Sequence, residues 1–132
     1  MGQGLREKLQ AKREEYETFV TEEFRAGFTT LFDQFPEMDH VTWKQYTPFW
    51  NDGDECLFRT GARDADIFDE KGEELGYWFT EYSKERMNLL CKTVQDFLNE
   101  FDIADYRVMF GDHVSVTVAR SGVTIDEFTE HD

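Results

Sequence analysis

The sequence predicts an α+β fold: two helices packed on one face of an antiparallel sheet of about five strands, in the order α-β-β-α-β-β-β. Three observations carry this. Two long stretches repeat apolar residues every three or four positions, the period of a helix. Between and after them the period changes to two, the period of a half-buried strand. The strand stretches are separated by short runs of Gly, Asp, Asn and Ser, and strands joined by tight turns are antiparallel. With 132 residues, the chain is long enough to bury one proper core, so residues 1–132 form a single domain.

The first helix is marked by Leu5, Leu9, Tyr16, Phe19, Val20, Phe24, Phe28, Leu31, Phe32 and Phe35, with charged residues between them. It is about 30 residues long, or about 45 Å. Its first two turns carry few apolar residues and are expected to project or fray. Pro36 ends it, because proline clashes with the preceding turn. Residues 41–46 alternate as a strand that Pro48 stops, and Asn51, Asp52, Gly53 and Asp54 form a turn. A second strand over 56–60 closes a hairpin with a long tip. Residues 61–76 are expected to be an acidic loop, with Ile67, Phe68 and Leu75 pinning it to the body. A second helix is expected over about 77–101, with Phe79, Tyr82, Arg86, Leu90, Val94, Phe97, Leu98 and Phe101 on one face. The chain then reads as a meander of three strands: 106–110, a Gly111-Asp112 turn, 114–118, a Ser121-Gly122 turn and 123–128.

Charge excludes several function classes. Asp and Glu number 29 against 14 Lys and Arg, a formal charge of −15. Such a surface repels phosphate backbones and anionic membranes, so neither nucleic acid nor membrane is an expected direct partner. No stretch reaches the roughly 18 apolar residues of a membrane helix. Residues 1–10 are polar and lack a signal core, so a cytoplasmic location is expected. The 13 Phe, 5 Tyr and 3 Trp exclude a disordered chain.

The stretch Trp43-Lys44-Gln45-Tyr46-Thr47-Pro48-Phe49-Trp50-Asn51-Asp52-Gly53-Asp54-Glu55-Cys56-Leu57-Phe58 resembles the motif W-T-Q-Y-T-P-Y-F-N-D-G-D-x-C-x-F of a family of small phage and bacterial proteins, departing from it at Lys44, Phe49, Trp50 and Glu55. Phe110-Gly111-Asp112-His113 and the terminal His131-Asp132 are similar to the end of those proteins. The resemblance implies a phage or bacterial origin, and a host-cytoplasm location if phage-encoded. It supplies no catalytic residues.

Two readings of the motif stay open. In the structural one, Trp43 anchors the core, Pro48 breaks the strand and Gln45 and Thr47 satisfy backbone groups. In the functional one the hairpin is a recognition element, with Trp43, Gln45, Tyr46, Phe49, Trp50, Asn51, Asp52 and Asp54 as candidate binding residues. Cofactor and metal sites are not expected. The calcium-loop pattern is absent, His40, His113 and His131 are scattered, and Cys56 and Cys91 fit no CxxC site and are expected to be buried and structural. The acidic groups Asp64, Asp66, Asp69 and Glu70 read as a solvated turn. In a strand, Asp112 and His113 would point to opposite faces, which argues against a dyad.

The strongest functional signal is the acid surplus. Glu14, Glu15 and Glu22 on the first helix are candidate contacts that imitate a phosphate array for a basic groove. The expectation is a non-enzymatic accessory protein of phage type. It would bind and modulate a host or defence protein, one that itself binds nucleic acid if the chain acts as a mimic. The alternatives are a small-ligand protein that stacks a nucleotide-like signal on its aromatic hairpin, and a metal-dependent hydrolase built on the acidic turns. Helix 1 and an uncovered sheet face also offer surfaces for a homodimer.

Overall fold

A computed structural model of the chain describes residues 4–48, 57–76 and 81–128. Among them are three helices and a five-stranded antiparallel sheet, an α+β architecture. Helix α1 spans Leu5–Gln34. Strands β1 (His40–Tyr46), β2 (Arg59–Thr60) and β3 (Asp66–Phe68) follow, with a 3₁₀ turn at Ala62–Asp64 between the last two. Helices α2 (Lys84–Leu98) and α3 (Ile103–Phe110) come next, and β4 (Val114–Ala119) and β5 (Gly122–Glu127) close the chain.

Strand β1 is the hub of the sheet. It pairs with β2 and β3 along one edge and with β4 along the other, and β5 lies outside β4. The β1–β4 register sets Val41 opposite Val118 and Trp43 opposite Val116, so one face of the sheet is apolar. Phe24 of α1 is seated against that face. Its ring centroid lies 4.9 to 6.3 Å from those of Phe28, Trp43, Phe97, Phe101, Tyr106 and Phe110, so one side chain touches all three helices and β1. Gly27 lets α2 approach, because a Cβ there would meet the Phe97 ring at 2.2 Å.

Four expectations are corrected. Residues 106–110 are not a strand. Asp102 and Asp105 make a reciprocal capping box that starts a helix at Ile103, and in helical phase Tyr106 turns into the core while Arg107 and Val108 face solvent. The packed layer therefore holds three helices, not two. Residues 66–68, expected in a loop, form β3 and pair with His40, Val41 and Thr42. Of the strand expected over 56–60, Arg59–Thr60 form β2 and Leu57 and Phe58 do not join it, while Cys56 lies outside the described residues. The second helix is shorter than expected: Ser83 Oγ accepts from Arg86 N at 3.1 Å as its N-cap, and it ends at Leu98. Phe79, expected on its face, lies outside the described residues.

Helix α1 stays helical through its N-terminal half, although every described residue before Val20 is exposed. Its other end is tied down from elsewhere in the chain. No basic residue lies in its last turn. Instead Arg120 donates to the carbonyls of Phe32 and Phe35 at 2.7 and 2.9 Å, and Arg86 to that of Gln34 at 3.1 Å. These cations satisfy carbonyls that a helix end leaves open. Arg86 also grips Glu37 with two bonds, at 2.7 and 2.9 Å.

The Arg86 guanidinium holds the Glu37 carboxyl below the ordinary carboxylate value of 4.5. A group whose folded pKa is depressed adds stability above its unfolded pKa and loses it as pH falls through the folded one. Glu37→Gln is expected to lower stability at pH 7 by about 1 kcal/mol. That difference from the wild-type chain should shrink as pH falls from the ordinary value of 4.5 through the lowered folded one, as read by thermal melts of both proteins across pH.

Candidate functional site

The motif residues meet around one buried amide. Gln45 is fully inaccessible, and its side chain makes four hydrogen bonds. Oε1 accepts from Trp43 Nε1 and from Thr60 Oγ1, each at 3.0 Å. Nε2 donates to the carbonyls of Tyr106 at 2.9 Å and Gly111 at 2.7 Å. The donors and acceptors of the amide are thus used, which is what a buried polar group requires. One turn further along, Asp112 does the same job. Its Oδ1 accepts from the amides of Thr47 and His113, both at 2.8 Å, and its Oδ2 from the Thr47 hydroxyl at 2.6 Å. Burial alone would raise the Asp112 carboxyl, but these hydrogen bonds outweigh it and hold it low. Gly111 between the two clasps has φ +91° and ψ −174°, a region reserved for glycine.

Trp43 and Gln45 are therefore interior residues, 4% and 0% exposed, and take no part in a contact surface. Tyr46 is half-buried, its ring 5.5 Å from that of Phe128, and the Lys44 ammonium lies 4.7 Å from the same Phe128 ring. The remaining candidates on the hairpin tip, Phe49, Trp50, Asn51, Asp52 and Asp54, lie outside the described residues, as do Cys56 and His131. Cys91 is half-buried on α2, and burial raises its thiol pKa. Asp112 and His113 form the corner between α3 and β4 rather than a strand, with His113 Nε2 3.8 Å from Asp112 Oδ1.

The acidic candidates stand on the surface of α1. Glu14 accepts from Gln10 at 3.2 Å, Glu15 pairs with Lys12 at 3.1 Å, and Glu22 is exposed. Glu15, Glu22 and Asp33 are separated by 7 and 11 residues, which places them on one stripe of the helix. The other acidic cluster behaves differently. Asp69 is buried, and its Oδ1 accepts from the amides of Lys71 and Glu73, both at 2.9 Å, which closes the turn after β3. One carboxylate oxygen each from Asp69, Glu73 and Glu81 lies within 4.8 Å of the others.

A groove that the motifs do not reveal runs between α1 and the β4–β5 hairpin. It encloses about 460 Å³ over an apolar floor of Phe24, Phe28, Phe32, Val118 and Val123, with Arg25 and Asp33 on its helix wall. Val123 and Ile125 pair with Val118 and Val116, so they point to the helix side of the sheet, yet they are 36% and 46% exposed. All of β5 is exposed, and among the described residues no strand pairs with its outer edge. The alternation of Val123 and Ile125 is the sequence signal for this surface, since an alternating strand implies a covering layer that the helices do not extend far enough to provide.

Comparison with known protein families, with characterised proteins and with solved structures finds no match for this chain. What it does therefore rests on the geometry. Gln45→Leu removes acceptors for Trp43 and Thr60 and orphans two buried carbonyls. It is expected to cost about 3 kcal/mol or more in chemical denaturation. Thr60→Val, which removes the donor to Gln45 Oε1 and the acceptor of the Ala62 amide, should cost about 1–2 kcal/mol.

Proposed function

We propose that this chain is a non-enzymatic accessory protein, of phage or bacterial origin, that binds a basic surface on a host or defence protein. The partner is expected to be a nucleic-acid-binding protein. The reading is carried by the charge on α1: Glu14, Glu15, Glu17, Glu22 and Glu23 lie within ten residues with no cation among them, all exposed on a rigid helix. Their spread along the axis is about 13.5 Å at 1.5 Å per residue. That averages about one charge per 3.4 Å, the axial spacing of phosphates along one DNA strand. Asp33 on the groove wall and Glu127, on the same face of β5 as Val123 and Ile125, extend the acidic surface beside the apolar groove. A partner of this kind gains steering from the carboxylates and burial from the groove floor.

The stacking alternative loses a central member, since Trp43 is spent inside the core. Among the described residues the metal-hydrolase alternative has only the Asp69, Glu73 and Glu81 group, and Asp69 Oδ1 already closes a turn.

The test is a pull-down with the whole chain from nuclease-treated bacterial lysate, washed at low and high salt. A nucleic-acid-binding protein should be retained at low salt and released at high salt. The triple variant Glu14→Gln, Glu15→Gln and Glu22→Gln should weaken capture roughly tenfold while circular dichroism stays unchanged. Capture that ignores both salt and the triple variant would contradict an acidic contact face.

A further inference from the structure

Helix α1 has two halves that the body treats differently. From Val20 onward it supplies Phe24, Phe28, Leu31 and Phe32 to the core, whereas Leu5 to Phe19 are exposed throughout. That outer half is about 22 Å long. A helix of 15 residues is marginal in water by itself. It nevertheless presents large apolar side chains to solvent: Leu5 is 72% exposed, Leu9 47%, Tyr16 49% and Phe19 58%. With Lys12 between them, these residues are spaced four, three, four and three apart, the 3.5-residue seam of a two-helix coil. Tyr16 is already fixed in place, because its hydroxyl donates to Asp105 Oδ1 at 2.5 Å.

Charge along this half is segregated. Residues 6–13 carry +3, from Arg6, Lys8, Lys12 and Arg13 against Glu7. Residues 14–23 carry −5 and no cation. We propose that the outer half of α1 is a homodimer interface, pairing antiparallel with α1 of a second copy. Antiparallel pairing lays each basic segment along the acidic segment of the other copy. A parallel pair would set like charges side by side. A two-fold axis near residue 14 brings Leu9 against Phe19 of the second copy, lays the Lys12 stem along Tyr16 of the second copy, and sets Lys8 beside Glu22 of the second copy. The exposed Lys12–Glu15 pair within one chain is weak and exchanges readily for such contacts. Glu14 lies on the far side of the helix from the seam, and the groove and β5 stay open, but Glu15 and Glu22 border the seam, so this pairing shares those carboxylates with the proposed acidic contact face; sedimentation of the chain alone reads the pairing with no other partner present.

Sedimentation velocity on the whole chain tests this, at about 100 μM, a hundredfold above a micromolar Kd. The expected species has twice the 15.7 kDa chain mass. Leu9→Glu with Phe19→Glu should leave only the single-chain mass. Leu9→Ala with Phe19→Ala, which keeps helix propensity, should do the same with an unchanged thermal midpoint of the body. Lys8→Glu, Lys12→Glu and Arg13→Glu together should weaken the dimer at least tenfold. Adding Glu15→Lys and Glu22→Lys to that variant should restore it, since the two reversed segments again complement each other. A wild-type chain that stays monomeric overturns the proposal. So does a dimer that survives loss of Leu9 and Phe19, which would point to another face such as β5. Charge reversal without effect overturns the antiparallel arrangement.

Discussion

The fold depends on one buried amide more than on any other single group. Gln45 is on the apolar face of β1, where a polar side chain would cost several kcal/mol if any of its atoms were left unpaired. Each is paired: Trp43 and Thr60 supply the donors, and Tyr106 and Gly111 supply the acceptors. These partners come from β1, β2, α3 and the turn after α3, so this one residue fixes how α3 enters the layer. The Asp112–Thr47 clasp repeats the device one turn further on. Residues 43–47 and 110–113 are thus brought together in the folded chain by their own polar side chains.

The rest of the layer builds on that anchoring. With α3 held by Gln45, Tyr106 donates its hydroxyl to the Leu98 carbonyl at 2.5 Å, and Phe24 can meet rings from all three helices. Burial drives the Tyr106 hydroxyl well above its ordinary range, so it remains a donor throughout the physiological range. Arg120 and Arg86 then hold the end of α1 from the β4–β5 turn and from α2, doing with side chains from distant segments what a local cap does in most helices. The outcome is a helix fixed at one end, whose other half is exposed along its length and meets the body through the Tyr16–Asp105 hydrogen bond.

Much of this was legible in the sequence, and what was not has identifiable causes. The three-and-four spacing from Leu5 to Phe35 gives α1, and Pro36 marks its end. The alternation around Val41 and Trp43 gives β1. The structural reading of Gln45 as a partner for backbone groups agrees with the hydrogen bonds, whereas the Thr47 hydroxyl pairs with the Asp112 carboxylate instead. Residues 106–110 mislead because Tyr106, Val108 and Phe110 alternate like a strand, while the deciding signal, the Asp102–Asp105 capping box, lies upstream of them. Strand β3 is hidden because three residues show no period and its stability comes from pairing with β1. Of the groove, only the alternation of Val123 and Ile125 was legible, because its opening is a property of where α1 stops covering β5. For the acidic candidates, Glu14, Glu15 and Glu22 are legible as surface residues from helical phase alone.

The most direct test of the Gln45 anchor is hydrogen exchange at the indole N–H groups of Trp43, Trp50 and Trp78, followed by NMR. Trp43 Nε1–H is buried and donates to Gln45, so its exchange should require global unfolding and should slow by the full folding equilibrium constant. An indole signal assigned to Trp43 that exchanges as fast as a solvent-exposed tryptophan would mean that the amide does not hold β1 to α3, and the account of the fold given above would fail.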